Sequence, residues 1–343
     1  MTLKVSIIIN NFNYAEYIAS CIESAVDQTY RNIEVIVCDD GSTDNSRAII
    51  ESYGSSVIAI FKPNGGQGSA FNAGYKKSSG DLVIFLDADD ILWPSCAAEI
   101  VRHWRSDLMK LHFNLAMIDA SGNSIGRLYL KPPLPRGDLR EQLVTDGTVA
   151  TMPTSGNVFP RAFLDRIMPM PEVGWERDAD AYLLNLAALS GEVGAVDEPL
   201  GGYRSHGRNV TAMVREGKVN KSGLRKFLQR EILTDQSLAG YGQKIGVHYR
   251  LGTLTGSLPH LQQLFLHEKL FREDHCFGEK SPFRIFILYM RLLLSSKSLS
   301  LYKKSIIGCW SLVVMLLPKS VAQSLTVLGY QCGVVVAVRR IGS

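Results

Sequence analysis

Short apolar runs alternate with amphipathic segments through the first hundred residues of the chain. Four runs have the length and the composition of strands, and in the last of them five consecutive apolar residues, 82–86, indicate a strand that is buried on both faces. They are residues 5–10, 33–39, 57–62 and 82–87. Four further segments repeat apolar side chains at helical spacing, at residues 17–27, 43–53, 69–78 and 94–104. Because the connections are short, the pattern predicts right-handed β–α–β units in a doubly wound α/β sheet flanked by helices.

The pattern changes after residue 109. Residues 110–118 alternate in strand fashion, and residues 124–129 follow as a hairpin partner. Residues 132–135 hold three prolines and predict an irregular, mobile loop. Further helices are expected at residues 161–167, 178–189 and 218–244, and further strands at 192–197 and 200–204. A hairpin joined to parallel units predicts a mixed sheet over residues 1–214, followed by a helical extension at 215–280.

Residues 281–343 form a basic and apolar tail. They contain eight Lys or Arg residues and no Asp or Glu, whereas the rest of the chain has 29 Lys or Arg against 33 Asp or Glu. The tail has three apolar stretches, at residues 283–294, 305–317 and 321–338. Each is shorter than the roughly 20 uninterrupted apolar residues that a membrane span needs, or it contains polar residues. They predict helices that lie in an anionic membrane surface. The alternatives are helices packed on the protein or on a second subunit, and a true span.

The composition is that of a globular protein, since 46% of the residues are hydrophobic and 20% are charged. The six cysteines are far apart, and no pair has the spacing of a zinc site or of a Cys-x-x-Cys motif. A reducing compartment is therefore expected. Because the chain opens directly into a strand without a basic and apolar leader, we expect a cytoplasmic protein, peripheral at the inner face of the cell membrane. No nucleic-acid partner is expected.

Three carboxylates follow the fourth predicted strand, in the sequence Asp87-Ala88-Asp89-Asp90. Open α/β sheets bind their ligands at the carboxyl ends of the strands. Residues two apart in an extended segment project to the same side, so Asp87 and Asp89 can face one point. Such a pair suits Mg²⁺ or Mn²⁺, which takes one or two carboxylates together with substrate phosphates. The alternative is a solvated acidic turn in which Asp90 or Ser95 caps the next helix.

Polar or glycine-rich residues also follow the other three strands. They are Asn10, Asn11 and Asn13, then Asp39-Asp40-Gly41-Ser42, and then Asn64-Gly65-Gly66-Gln67-Gly68. A carboxylate such as Asp39 can accept a hydrogen bond from a base N–H, and glycines let the backbone come close to a nucleotide. An ordinary turn is the alternative for the glycine-rich loop. Together, the strand ends predict one ligand-binding crevice.

Four motifs jointly resemble the family-2 glycosyltransferases with the GT-A fold. They are residues 5–13, Asp39-Asp40-Gly41-Ser42-Thr43-Asp44, Asn72-Ala73-Gly74 and Asp87-Ala88-Asp89-Asp90. Residues 154–157, 178–183 and 203–207 resemble the acceptor half, so the likeness covers about residues 4–210. It implies that residues 1–109 bind a nucleotide-diphospho-sugar, typically linked to UDP, and that residues 110–214 bind the acceptor.

The resemblance also implies the roles of individual residues. Asp39 matches the residue that contacts the base, Asp40 supports its loop, Asp89 matches the principal metal ligand, and Asp87 lies beside the ribose and the metal. The expected donor-binding residues are Asn10, Asn11, Asn13, Asp39, Asp40, Asn64, Gly65, Gly66, Asn72, Asp87, Ala88, Asp89 and Arg204. The expected ligands of Mg²⁺ or Mn²⁺ are Asp87, Asp89 and His206.

Inversion at the sugar carbon is expected, and it needs a base on the acceptor side. Asp178 occupies the family's Asp position at the start of an acceptor-side helix, where it could alternatively be a simple helix cap. The family has Glu before this Asp, whereas Arg177 stands here with Glu176 one residue earlier. Asp180 and Glu176 therefore remain alternative bases.

Transfer of a single sugar to a hydroxyl of a saccharide or lipid-linked acceptor is the predicted reaction, because the Gln-x-x-Arg-Trp signature of processive synthases is absent. Two alternatives belong to other classes. One is a membrane-surface scaffold with an inactive transferase domain. The other is a phosphatase of the haloacid dehalogenase type, which also places Asp-x-Asp after a strand but normally after the first strand.

Overall fold

The structure, a computed structural model, describes residues 2–206, 214–215, 218–271, 281–295, 299–332 and 335. Its strands are β1 (Val5–Asn11), β2 (Ile33–Asp39), β3 (Ile58–Phe61), β4 (Leu82–Asp87), β5 (Ile91–Leu92), β6 (Leu108–Ile118), β7 (Ser124–Leu128), β8 (Gly137–Asp138), β9 (Asn157–Pro160), β10 (Glu192–Arg204), β11 (Val214–Arg215) and β12 (Lys218–Val219). Its helices are α1 (Ile18–Val26), α2 (Ser46–Ser52), α3 (Gln67–Lys77), α4 (Cys96–His103), α5 (Arg140–Asp146), α6 (Arg161–Ile167), α7 (Asp180–Ser190), α8 (Lys221–Ile245), α9 (Leu258–Phe271), α10 (Pro282–Ser295), α11 (Leu301–Leu316) and α12 (Lys319–Gln331).

Strands β1 to β10 belong to one sheet, which runs in the order β3-β2-β1-β4-β9-β6-β10-β5, with β7 beside β6 and β8 beside β10. Strands β1 to β4 are parallel, and β9 lies antiparallel between β4 and β6. The predicted doubly wound, mixed sheet with flanking helices is therefore confirmed. In this order the carboxyl ends of β2, β1 and β4 are neighbours at one edge of the sheet.

The second half of the sheet differs in detail from the sequence-based prediction. The hairpin of β6 and β7 is confirmed. Strand β9 and helix α5 are missed, because β9 has only four residues and α5 is polar apart from Leu143 and Val144. The two strands expected at 192–197 and 200–204 are one strand, β10, whose register shifts on both sides of Pro199. A proline has no N–H to donate to the ladder, which explains the shift and the false division.

Three hydrophobic clusters hold these elements together. The first fills one face of the sheet under α1, α2 and α4, and the second fills the other face under α3, α6 and α7. Helix α8 contributes Leu238 and Tyr241 to the second cluster, so the helical extension packs directly on α6 and α7. The third cluster joins α9 to α12 and contains Phe265, Tyr289 and Val314. Some residues named in the sequence analysis lie outside the described residues. They are 207–213 of the predicted acceptor half, part of the stretch 321–338, and the basic residues Lys297, Arg339 and Arg340.

A buried polar stripe on β6 fixes the proline-rich segment that follows the hairpin. Lys110 Nζ donates to Thr151 Oγ1 at 2.6 Å, His112 Nε2 donates to the Pro135 carbonyl at 2.7 Å, and Asn114 Nδ2 donates to the Leu130 carbonyl at 2.8 Å. All three side chains are buried and lie two residues apart, so they share one face of the strand. The mobile loop expected around residues 132–135 is therefore anchored to the sheet.

His112 makes the stability of the fold depend on pH. Burial, followed by the charge of Lys110, lowers the pKa of His112 well below its usual value of 6.5. The unfolded chain therefore binds one more proton than the folded chain at a pH below about 6.5. The free energy of unfolding should fall between pH 7.5 and 5.5, by up to about 1.4 kcal/mol per pH unit from this residue. Urea denaturation at both pH values should show a smaller fall for His112→Gln, and an unchanged fall would contradict the account.

The glycine-rich loop before α3 packs against the segment that precedes α7. The backbone N–H groups of Gln67 and Gly68 donate to the carbonyls of Glu176 and Trp175 at 2.9 and 3.0 Å. Gly66 has a φ of +85°, and a Cβ added there would lie 2.3 Å from the Cα of Glu176. The loop therefore requires glycine both for its conformation and for its close approach.

Replacing Gly66 tests this contact. Gly66→Ala should lower the free energy of unfolding by about 2 kcal/mol or more, since the new methyl group must displace the backbone of Glu176. Gly240→Ala in α8 is the matched control, because no described atom lies within 4 Å of its added Cβ. That control should be neutral or more stable by up to about 1 kcal/mol. Equal thermal unfolding midpoints for the two variants would contradict the packing described here.

Candidate active site

Asp87, the last residue of β4, lies at the centre of the site. Its Oδ1 accepts hydrogen bonds from Nδ2 of Asn10 at 3.0 Å and from Nε2 of Gln67 at 3.1 Å. Asn10 is its partner in the register of β1 and β4. The backbone N–H of Asp87 donates to Oγ of Ser155 at 3.2 Å. Asp87 is therefore held in place by neutral groups from three separate parts of the chain, two on its carboxylate and one on its backbone.

Gln67 connects this carboxylate to the start of helix α7. While its Nε2 donates to Asp87, its Oε1 accepts the backbone N–H of Ala179 at 2.9 Å. Ala179 immediately precedes α7, whose first residue, Asp180, is buried. The charge of Asp180 is close enough to contribute to the raised pKa of Asp87. A single side chain thus spans the distance between the end of β4 and the start of α7.

Asp89 is held from the opposite side. Its Oδ2 lies 2.9 Å from Nε2 of His206, and the ring of His206 stacks on Tyr17 with centroids 5.1 Å apart. Arg204 donates from Nε to the backbone carbonyl of Asp89 at 2.7 Å and lies over the ring of Tyr17. The structure therefore brings His206 and Asp89 together, and their role as metal ligands stays a prediction.

Arg204 itself is buried and contacts several backbone carbonyls of the protein. Its Nη1 donates to the Ala120 carbonyl at 2.9 Å, and its backbone N–H donates to Oδ1 of Asp90 at 2.9 Å. Oγ of Ser155 donates to Oδ2 of the same Asp90 carboxylate at 2.6 Å. The guanidinium of Arg204 thus holds the loop of Asp89 and Asp90, and its expected contact with the donor stays a prediction.

The acidic cluster strongly favours a compensating positive charge. Burial and then the charge of Asp89 raise the pKa of Asp87 to about 7. Burial and then the charges of Asp89 and Asp87 raise the pKa of Asp90 well above its usual value. Among the described residues, Oδ1 of Asn10 is buried without a hydrogen-bond partner. Repelling carboxylates and an unpartnered amide oxygen are the oxygen donors that a hard cation prefers.

The described residues nevertheless contain no group of three His, Cys, Asp or Glu side chains arranged to enclose a metal ion. A cation at Asp89 would therefore have few protein ligands. Mg²⁺ and Mn²⁺ sites with one or two carboxylates are completed by substrate phosphates. The residues present fit a cation that binds together with a phosphate compound.

A second polar group lies at the end of β2. Asp39 is buried, and its carboxylate accepts hydrogen bonds from Nδ2 of Asn11 at 2.7 Å and from the backbone N–H of Ser42 at 2.9 Å. Asn13, which has a φ of 60°, accepts the backbone N–H of Thr43 at 2.7 Å through its side chain. Asn11 and Asn13 therefore tie the end of β1 to the loop that presents Asp39.

Asp40 supports the glycine-rich loop rather than its own loop alone. Its carboxylate accepts the backbone N–H groups of Gly65 at 3.0 Å and Gly66 at 2.7 Å, and it forms an ion pair with Lys62. A Cβ on Gly41 would lie 2.8 Å from the backbone N of Asn64. The loops after β2 and β3 thus pack together beside Asp39.

Two expected donor-binding residues serve the scaffold. The side chain of Asn72 donates to the Met170 carbonyl at 2.9 Å and accepts the Met170 N–H at 2.9 Å, so both ends of its amide hold that segment. Ala88 is buried in the first hydrophobic cluster, which turns its methyl group into the core. Asn72 therefore positions the segment before α7, and Ala88 can meet a ligand only through its backbone.

The three candidate bases have different surroundings. Glu176 is exposed, and its Oε1 accepts the backbone N–H of Gly174 at 3.0 Å. Asp178 is partly exposed, has a φ of 52°, and lies with Oδ2 3.4 Å from Nη1 of Arg230 in α8. The helix predicted at residues 178–189 begins at Asp180 in the structure, so Asp178 lies two residues before the helix.

Three residues that matter to this geometry do not stand out in the sequence. Gln67 lies in the glycine-rich loop, Ser155 lies in a segment of the family resemblance, and Arg230 lies in the helical extension. Gln67 and Ser155 appear in recognised motifs, but their partners are distant in sequence. No signal in the sequence marks Arg230.

Comparison with known proteins shows which family the sequence resembles. Residues 6–167 match the model of the family Glycosyl transferase family 2. An uncharacterized glycosyltransferase of Nostoc sp. is 37% identical over 213 residues, which are 60% of this chain and 66% of that protein. Chondroitin synthase of Escherichia coli is 34% identical over 145 residues, which are 41% of this chain and 21% of the synthase. The chain thus matches less than two thirds of each relative's length.

The fold has a counterpart among solved structures. The crystal structure of S. aureus TarS 1-349 in complex with UDP-GlcNAc has a TM-score of 0.55 over 96% of this chain and 92% of that chain, at 17% identity. At this identity the likeness concerns the fold alone, and it confirms the expected GT-A fold with a helical C-terminal region. Together with the family match over residues 6–167, these findings show that the chain is similar to the glycosyltransferases of family 2 and shares their fold.

Proposed function

We propose that this chain transfers one sugar from a nucleotide-diphospho-sugar to a hydroxyl group of a saccharide or lipid-linked acceptor, with inversion and with the help of a divalent cation. One observation carries the proposal. Gln67 holds the Asp87 carboxylate on one side and the N–H of Ala179, before α7, on the other. The carboxylate cluster around Asp87, which would bind the diphosphate, and the acidic segment before α7, which would face the acceptor, are therefore bridged by one side chain.

The donor would lie across the carboxyl ends of β2, β1 and β4. Asp39 is fixed by Asn11 and by Ser42, and a fixed carboxylate can select a base that offers an N–H group. We take the nucleotide to be UDP, in agreement with the complex of the structurally similar TarS fragment with UDP-GlcNAc. Glycines beside Asp40 let the loop approach the nucleotide closely.

Asp89, with Asp87 and His206 beside it, would hold Mg²⁺ or Mn²⁺. When bound, such a cation stabilises the negative charge that develops on the departing diphosphate. Asp90 and Arg204 keep the loop of Asp89 in place through buried hydrogen bonds. Asn10 and Gln67 orient Asp87 without adding charge to the cluster.

We assign the base to Asp178. In a single displacement, the bond from the acceptor oxygen to the sugar carbon forms on the face opposite the bond to the diphosphate, which breaks. A carboxylate on that far face takes the proton of the acceptor hydroxyl. Asp178 is partly exposed on the proposed acceptor side. Asp180 is buried near Asp87, and the carboxylate of Glu176 accepts the N–H of Gly174 in its own turn. The similarity to this family and the intact acidic cluster favour this reaction over a phosphatase or an inactive scaffold.

Calorimetric titration with UDP, GDP and dTDP, with and without Mn²⁺, tests the donor proposal. UDP should bind most tightly, and Mn²⁺ should increase its affinity by about tenfold or more, because the cation joins Asp89 to the diphosphate. Asp89→Asn should remove this increase while keeping the metal-free affinity. Asp27→Asn, at an exposed position after α1, is the matched control and should behave like the original chain. Equal affinity for UDP with and without Mn²⁺ in the original chain would refute the cation assignment.

We also propose that the C-terminal helices lie on an anionic membrane surface. One face of α10 enters the third hydrophobic cluster through Phe286 and Tyr289, which supports packing of that face on the protein. The other face leaves apolar side chains exposed, among them Phe283, Leu288 and Leu294 on α10, and Leu301, Tyr302, Leu312 and Leu316 on α11. None of the described helices has the length and apolar character that crossing a bilayer requires. The basic charge of residues 281–343 complements anionic lipid.

Vesicle flotation tests the membrane proposal. The chain should float with phosphatidylcholine vesicles that contain about 30% phosphatidylserine, less well with pure phosphatidylcholine, and less well at high salt. The double variant Leu301→Ser and Leu316→Ser should lower the bound fraction about tenfold, because both side chains would enter the lipid interface. Val173→Ser is the control, since Val173 is 88% exposed on the transferase domain. An equal bound fraction for the original chain, the double variant and Val173→Ser would contradict the proposal.

A further inference from the structure

The helical extension places a cation beside the proposed base. Arg230 lies in α8, beyond the matched residues 6–167, and its Nη1 is 3.4 Å from Oδ2 of Asp178. The side chain of Arg230 is only 12% exposed, and its guanidinium lies over the ring of Phe227 at 4.7 Å. A guanidinium stacked on an aromatic ring has little rotational freedom. The ion pair with Asp178 is therefore built from a side chain that is itself held in place.

A second pair of buried groups lies behind Arg230. Its Nη2 is 4.0 Å from Oε1 of Glu231, whose Oε2 is 3.2 Å from Nδ1 of His260 in α9. Glu231 and His260 are both buried. The line Asp178, Arg230, Glu231 and His260 thus runs from the wall of the site through α8 to α9. Removal of Arg230 would leave Glu231 and Asp178 without the cation that lies between them.

The backbone around Asp178 is fixed from the other direction. Its φ of 52° is in the left-handed region, which Asp tolerates better than most residues. The N–H of the next residue, Ala179, is bound by Gln67, and the carbonyl of Asp178 accepts the N–H of Ala181 at 3.1 Å. These contacts hold the main chain, but they leave the side-chain torsions of Asp178 undetermined. Arg230 supplies the contact that orients the carboxylate.

We infer that Arg230 is a positioning residue for the transfer reaction, and that the helical extension completes the acceptor side of the site. This inference rests on the proposed function. The ion pair engages Oδ2 of Asp178, so that Oδ1 is the oxygen presented to the acceptor hydroxyl. A base must be within hydrogen-bond reach of the proton that it removes, and a misplacement of about 1 Å can cost up to about 100-fold in rate.

The test compares Arg230→Gln and Arg230→Lys with the original chain. The assay is hydrolysis of UDP-GlcNAc, UDP-GalNAc and UDP-glucose, in which water replaces the acceptor hydroxyl. Arg230→Gln should lower kcat by about 10- to 100-fold while the KM for the UDP-sugar changes less than about twofold, because the donor contacts remain. Arg230→Lys keeps a positive charge and should restore part of kcat. Arg225→Gln, the same change at an exposed position of α8, should leave kcat and KM unchanged.

The Asp178→Asn background separates the inference from the proposed function. Asp178→Asn should lower kcat strongly, and adding Arg230→Gln should cause little further loss, because both changes remove the same function. A fall in kcat for Asp178→Asn with an unchanged kcat for Arg230→Gln would overturn the inference alone. An unchanged kcat for Asp178→Asn, or no hydrolysis of any UDP-sugar by the original chain, would overturn the proposed function and the inference with it. Thermal unfolding midpoints within a few degrees show that the variants are folded.

Discussion

The amide of Gln67 joins the two halves of the molecule at the point where chemistry is expected. Its NH₂ group donates to Asp87 at the end of β4, and its oxygen accepts the N–H of Ala179 before α7. A neutral amide can do both at once, whereas a charged side chain could satisfy only one of the two. The contact between Gly66 and Glu176 brings the same two segments together through the backbone. The relative placement of the Asp87 carboxylate and the start of α7 depends on this junction.

The site concentrates negative charge and stabilises it with few positive groups. Asp87, Asp89 and Asp90 lie within four residues, and the pKa values of Asp87 and Asp90 are raised by burial and by mutual repulsion. Amides, a serine hydroxyl and backbone N–H groups hold these carboxylates in position without neutralising them. Such an arrangement costs stability, and binding a cation with a phosphate compound would recover part of that cost.

The C-terminal helices have two different surroundings. Helix α8 packs into the second hydrophobic cluster and brings Arg230 to Asp178, so it belongs structurally to the transferase domain. Helices α10 and α11 bury one face in a cluster of their own and expose the other. The same stretch of chain can therefore complete the site at one end and present an apolar, basic surface at the other.

The local pattern of the sequence was sufficient for the β–α units of the first half, for the hairpin, and for the acidic and glycine-rich strand ends, since each depends on neighbours a few residues apart. It could not locate β9 or the continuous strand β10, whose limits are decided by pairing within the sheet, and it missed the short polar helix α5. Asn72 and Arg204 lie in recognised motifs, but packing turned both toward the scaffold. The junction of Gln67 with Ala179 joins residues 112 positions apart, and Arg230 meets Asp178 through helix packing. The sequence by itself determined which chemical groups are available at the strand ends, whereas only the tertiary structure decided which of them meet, because contacts between distant residues depend on how whole elements pack.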